Sequence, residues 1–169
     1  MTAGPRNKGL LLAAHPTTRG FGWVLFEAPL SVLDWGIASA KAGRNARLIA
    51  RFERLLKRYE PTVFVLEEFE GHEPRTERIQ ALCREMAHLA LLHGADTVVF
   101  PRTAVRSAFA GSGATTRHEI AEVVAKHLDP LSHRLPKKRK SWNSEDARQS
   151  LFDAAALALT YFARAMGSL

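Results

Sequence analysis

Cysteine is nearly absent from this chain: 169 residues contain one, Cys83. A lone thiol excludes an intrachain disulfide and a thiolate metal cluster. Its place inside the helical pattern RIQALCREMAHLALL makes it a small buried apolar residue. Long apolar runs are missing as well. No stretch approaches the ~18–20 residues of a membrane span, and MTAGPRNK has no signal-peptide apolar core, so the expectation is a cytoplasmic protein with no membrane partner. Acidic residues are in deficit. Against 24 Lys+Arg stand 17 Asp+Glu, a formal +7 with a pI near 10.1, which favours an anionic partner such as nucleic acid. Charge alone does not separate DNA from RNA or from anionic membrane. Aromatic residues are 8% and hydrophobic residues 46% of the chain, the profile of an ordinary globule. The length suits one domain over 1–169 with a core of its own.

Three short apolar segments come first, GLLLAAH (9–15), GFGWVLFEA (20–28) and LSVLDWGIAS (31–39). The turn signals PTTRG and AP between them predict an antiparallel meander. In NARLIARFERLLKRYE (45–60), Leu48, Phe52, Leu55, Leu56 and Tyr59 have helical spacing, and Pro61 stops the helix. The run TVFVLEEFE (62–70) is continuously apolar before it ends in acids, as a strand covered on both faces would be. A long amphipathic helix (76–93), the strand DTVVF (96–100), a short helical piece (103–109), the glycine loop AGSGA and a helix over 116–128 follow. Residues 129–145 are polar and basic with two prolines and read as a loop or partly disordered connection. The last helix, about 145–166, starts at NSED, where Asn143 or Ser144 can cap it and Asp146 falls in the first turn.

This order gives an α/β fold: a mixed five-stranded sheet, a three-strand meander plus two parallel strands, flanked by helices. The ends of strands one and four then lie side by side, where such a sheet holds its site. His15 occupies one end and the Glu67/Glu68 pair the other. Glu68 follows Glu67 on the strand, so it points to the opposite sheet face. In the last helix, Asp153 interrupts the apolar run LFDAAALALTYFA. A carboxylate in that setting calls for a cation, a hydrogen-bond donor or a metal.

Four pieces in order carry a family resemblance. HPTTRGFGW matches a motif usually written D-P-G-x-x-x-x-G, VFVLEE matches a strand ending in an acid, and FDAAALALT matches a D-A-x-A-x-A helix. The fourth, VRSAFAGSGATTR, keeps a basic residue, two glycines and a second basic residue at Arg106, Gly111, Gly113 and Arg117. From about Leu10 to Arg164 the chain resembles the RuvC-like Holliday-junction resolvases of the RNase H-like superfamily. The resemblance implies a metal-dependent endonuclease acting on four-way DNA junctions in recombination and repair, with Mg²⁺ or Mn²⁺ held by four carboxylates. Paired ions ~3.5–4 Å apart need such hard, charge-balancing ligands. Glu67 stands at the second acid position and Asp153 at the last. His15 stands where the first aspartate is implied, Ser150 where the remaining acid is, and Thr17 replaces the turn glycine. Four formal negative charges become two.

His15 therefore has three readings. It can be a metal ligand beside Glu67 and Asp153, which would favour Mn²⁺ or Zn²⁺ over Mg²⁺. It can be a base or proton shuttle beside a single ion. As imidazolium it can pair with Glu67 and Asp153, a cation of the protein's own in the vacated metal position. The third reading gives the alternative function, a catalytically reduced protein that binds junctions without cutting them. For DNA binding the candidates are Arg106 and Arg117, the run Lys137, Lys138, Arg139 and Lys140 beside Trp142, and Phe69. Phosphate contacts of this kind give salt-dependent affinity with little sequence information. Phe69 is equally well a core side chain. The helix over 76–93 carries more apolar residues than one packed face needs, and the family pairs through it, so a homodimer is the implied state. Branch-migration partners stay open.

Overall fold

The computed structural model describes residues 9–41, 44–70, 75–140, 142 and 145–166. Five strands form one sheet: β1 (Leu11–Pro16), β2 (Gly20–Ala28), β3 (Ser31–Ser39), β4 (Val63–Glu67) and β5 (Asp96–Phe100). Their order across the sheet is β3-β2-β1-β4-β5. The first three pair antiparallel and β4 and β5 add in parallel, the mixed sheet that the sequence predicts. Six helices accompany them: α1 (Arg44–Tyr59), α2 (Glu77–Leu92), α3 (Arg102–Phe109), α4 (Arg117–His127), the short α5 (Asp129–Ser132) and α6 (Gln149–Ala165).

Alternation along β1 and β4 divides the core. Leu11, Ala13 and Val65 face α3, α4 and α6, whereas Leu12, Ala14, Phe64 and Leu66 face α1 and α2. Both faces are dry, which is why these strands read as unbroken apolar runs. Helix α6 sets the depth of the first layer. Its residues Leu151, Phe152 and Ala154–Leu159 are buried, and its start lies hard against β2 at Gly22. A Cβ on Gly22 would meet the Ser150 carbonyl carbon at 2.4 Å and the Leu151 nitrogen at 2.5 Å, so only glycine lets the helix backbone come this close.

Two stretches differ from expectation. The last helix begins at Gln149 and not near 145, and Asp146 lies outside it. The Asp146 carboxylate accepts from the Arg148 backbone N–H at 2.9 Å and from the Arg148 guanidinium at 2.6 Å. Such a local side-chain bond competes with the helical turn. The expected caps Asn143 and Ser144 lie outside the described residues, and Arg148 at the N-cap makes no side-chain capping bond. Within the segment read as a loop, Asp129–Ser132 form helix α5, fastened by the buried Leu131, and 135–140 have no regular structure. Thr17 has no positive φ. The turn after β1 closes by the Thr17 N–H donating to the Gly20 carbonyl at 2.7 Å, and a glycine's backbone freedom is not needed there.

Candidate functional site

The parallel register sets Leu11 beside Val63 and Ala13 beside Val65; two residues further on, His15 and Glu67 lie side by side on the face covered by α6. His15 is buried, and its Nε2 lies 3.1 Å from Glu67 Oε2. On its other side, Nδ1 is 3.7 Å from Asp153 Oδ2 and has no hydrogen-bond partner. One imidazole thus stands between two carboxylates brought from β4 and α6.

Each carboxylate also meets an arginine. Arg102 Nε, at the start of α3, donates to Glu67 Oε1 at 3.3 Å. Arg117, at the start of α4, takes Asp153 with both Nη2 and Nε and reaches Glu145 with Nη2 at 2.6 Å. Gln149, one turn before Asp153, donates from Nε2 to Asp153 Oδ1 at 3.1 Å. Burial works to raise the Glu67 carboxyl, but the His15 hydrogen bond and the charges of His15, Arg102 and Arg75 hold it down at about 2. Burial likewise opposes the charge on Arg117, and the Asp153 and Glu145 carboxylates outweigh it and push the guanidinium higher. An ionised Glu67 only accepts, so the His15 Nε2 facing it carries the proton. The space left among these groups is about 30 Å³, opening past Val105, Arg106 and Ile120. That is room for one or two waters.

Nine-tenths or more of the chain superposes on solved structures. RuvC of Thermus thermophilus in complex with a Holliday junction substrate superposes with a TM-score of 0.69 at 20% identity, over 95% of this chain and 97% of that one. A structure of Thermus thermophilus RuvC gives 0.68 at 22% identity, over 94% and 97%. Fowlpox virus resolvase with its substrate Holliday junction DNA gives 0.56 at 13%, over 90% and 97%. No family model and no curated protein matches the sequence. The fold is RuvC-like, of the RNase H-like class.

On this RuvC-like frame the quoted motif pieces converge. His15, Glu67 and Asp153 meet at one point, with Arg117 bonded to Asp153 and Arg106 exposed at the rim. Ser150 does not enter the site: it is buried, and its hydroxyl donates to the Ala147 carbonyl at 2.7 Å. Glu68 is exposed. Phe69 is half-buried and packs against the core layer under α1 and α2. Lys137, Lys138, Arg139 and Lys140 are exposed, and Lys140 Nζ lies 5.4 Å from the centre of the exposed Trp142 ring. Glu145, a few residues on, ties this segment back to the site through Arg117. Among the described residues no group of three or more His, Cys, Asp or Glu side chains is arranged to hold a metal ion, and no helix is long and apolar enough to cross a membrane.

Arg102, Gln149 and Arg75 belong to this cluster and were not singled out from the sequence. A signal for Arg102 existed: it follows the end of β5, the strand next to β4, and so had to lie near Glu67. Gln149 precedes Asp153 by four residues, one helical turn. Arg75 donates to the Pro16 carbonyl in the turn after His15, and nothing in its local pattern marks that contact.

Proposed function

We propose that this chain binds branched DNA, four-way junctions among them, and does so with a site whose metal ions are replaced by cations of the protein. One observation carries this reading: His15, Arg102 and Arg117 already satisfy Glu67 and Asp153. A two-ion centre needs several free carboxylate oxygens around ions ~3.5–4 Å apart. Here one oxygen of Glu67 faces His15 and the other accepts from Arg102, while both oxygens of Asp153 accept from Arg117. The donor set does not fit Mg²⁺ or Mn²⁺ in that arrangement, and no hydrolytic step is derived through them. A protonated His15 would offer an N–H to each flanking carboxylate, which supports the third of its readings.

Binding rests on groups outside the ion-pair cluster. Arg106 at the cleft rim and Lys137, Lys138, Arg139 and Lys140 beside Trp142 are assigned to phosphates of the junction arms. Arg117 serves the cluster first, as its two carboxylate partners occupy it. Phe69, half-buried, is assigned to packing. A homodimer through α2 fits the exposure of Leu91 and Leu92 at its end, 65% and 67%, with Ile79, Leu82, Met86 and Ala90 committed to the core.

The test is a junction assay in chelator and in Mg²⁺ or Mn²⁺. The native protein is expected to bind a synthetic four-way junction without metal, with affinity falling steeply as salt rises, and to leave all strands uncut. His15→Asp/Ser150→Asp is the comparison for restored acidity. Metal-dependent cleavage by the native protein, abolished in Asp153→Asn, would overturn the reading and favour the endonuclease that the resemblance implies.

A further inference from the structure

Helix α1 carries six basic residues and one acid between Arg44 and Tyr59, so its own balance is +5 in a chain of +7. Five of them, Arg44, Arg47, Arg51, Arg54 and Arg58, follow spacings of three, four, three and four. That places them on one face, and all five are exposed. The opposite face is spent: Leu48, Phe52 and Leu56 are buried against the sheet. The one acid, Glu53, is engaged off the stripe by Lys57 at 2.9 Å. Among the described residues no acid pairs with Arg47, Arg51 or Arg54.

The stripe starts at the site's end of the sheet. The Arg44 guanidinium donates to the Thr18 carbonyl at 3.1 Å, in the turn that follows His15. From the α2 side, Arg78 donates to the same carbonyl at 2.8 Å. Arg19 in this turn and Lys41 after β3 join Arg44, Arg47 and Arg51 around an open cleft with no acid in its lining. From there the row runs fourteen residues, ~21 Å, along the flank of the molecule.

We infer that the exposed face of α1 is a second DNA-backbone track, which carries one arm of a branched DNA away from the cleft across the turn after β1. This rests on the reading that the chain binds branched DNA. Successive guanidinium positions rise ~4.5–6 Å, and ~21 Å of duplex presents about six phosphates per strand, so a rigid polyanion of regular charge matches the row along its length. A membrane surface does not: an interfacial helix needs an apolar face to insert, and this one has none left to offer.

The experiment uses the full chain and synthetic four-way DNA junctions whose arms, closed by hairpin loops, are lengthened in steps from about 4 to about 30 base pairs, so that at ~3.4 Å per pair an arm is first shorter than a ~21 Å track and then passes it. Arg47→Ala/Arg51→Ala/Arg54→Ala is compared with the native protein, and with the corresponding triple lysine variant, by fluorescence anisotropy over a salt series. Alanine keeps the helix, and circular dichroism checks that. The native affinity is expected to rise with arm length. The alanine variant should lose most of that rise, bind the longest arms about tenfold more weakly at low salt, and show a log–log salt slope smaller by about 2.7, three phosphates at about 0.9 each. Lysine should restore the slope, and the shortest junction should bind alike to all three. Identical long-arm affinity and slope for native and alanine proteins would overturn the track while leaving junction binding intact. A slope change on linear duplex, without preference for the junction, would refute the junction reading and leave α1 as a duplex track.

Discussion

The ion pair at Glu67 makes a prediction whose sign and window are both set by the structure. Its carboxyl is held at about 2 against an ordinary value of 4.5, and its side chain is 12% exposed, so solvent does little to screen it. At about 1.36 kcal/mol per tenfold change in proton affinity, that gap corresponds to about 3 kcal/mol of folding free energy. For a carboxyl lowered on folding, the contribution is complete above about pH 4.5. It is lost as pH falls towards 2, because in that interval the unfolded chain binds the proton and the folded one does not. Urea unfolding of the native protein and of the Glu67→Gln variant should therefore differ most at neutral pH, and the difference should shrink by about 3 kcal/mol between about pH 6 and pH 2.5. Other carboxylates titrate in both proteins and cancel. For a chain of this length the same figure is about 6–12 °C in Tm. His15 is the first of the groups that lower this carboxyl, ahead of Arg102 and Arg75. In a His15→Ala background the loss should still start near pH 4.5, but be complete at a higher pH and be smaller. A stability difference between the native and Glu67→Gln proteins that stays constant across the window would refute the assignment of Glu67 to a buried, cation-held carboxylate.

Three further outcomes follow from the packing around the site. Gly22→Ala should cost about 1–3 kcal/mol as its methyl group displaces the start of α6, whereas Gly111→Ala, with nothing within 4 Å of an added Cβ, should melt like the native protein; equal melting of the two would contradict the close approach at Ser150. Arg117→Met should destabilise by about 1–3 kcal/mol, within the loss for breaking one side of a buried pair and discounted for the partial exposure of the guanidinium. Adding Asp153→Asn should recover much of it, so a double-mutant cycle with no coupling would show the pair to be independent. Burial pushes the Cys83 thiol up to about 11, so a thiol reagent at pH 8 should react slowly with folded protein and fast in urea. Rapid labelling of the folded chain would place the thiol at the surface.

Much of the fold could be read from periodicity because both faces of β1 and β4 are covered, and a doubly buried strand declares itself as an apolar run. The same runs made the site visible. His15 and Glu67 are the first polar side chains along two adjacent parallel strands, and Asp153 is a carboxylate among alanines. The start of α6 could not be read this way. Its boundary depends on one local choice, the Asp146 carboxylate taking the Arg148 N–H, which composition around NSED does not distinguish from an N-cap further upstream. The bond between Arg117 and Asp153 was also hidden, since Arg117 reaches the cluster from α4, 36 residues from its carboxylate. Long side chains of this sort have no period of their own.

The arginines of α1 were overlooked for a different reason. Apolar spacing was enough to identify that helix, and the charge of its outer face entered only in the total of +7. Set beside the site, the distribution acquires a consequence. With His neutral, as in the excess of +7, Arg102 and Arg117 stand against Glu67, Asp153 and Glu145, so the cluster adds nothing to that excess, while α1 alone supplies +5. In the proposed reading, His15 and Ser150 at two acid positions change what the centre holds and raise the net charge by only two, so most of the basicity of the chain is set elsewhere. The two properties are physically separate, and substitutions in one should leave the other standing: Arg47, Arg51 and Arg54 can be removed without touching the ion pairs, and the ion pairs can be broken without discharging the helix.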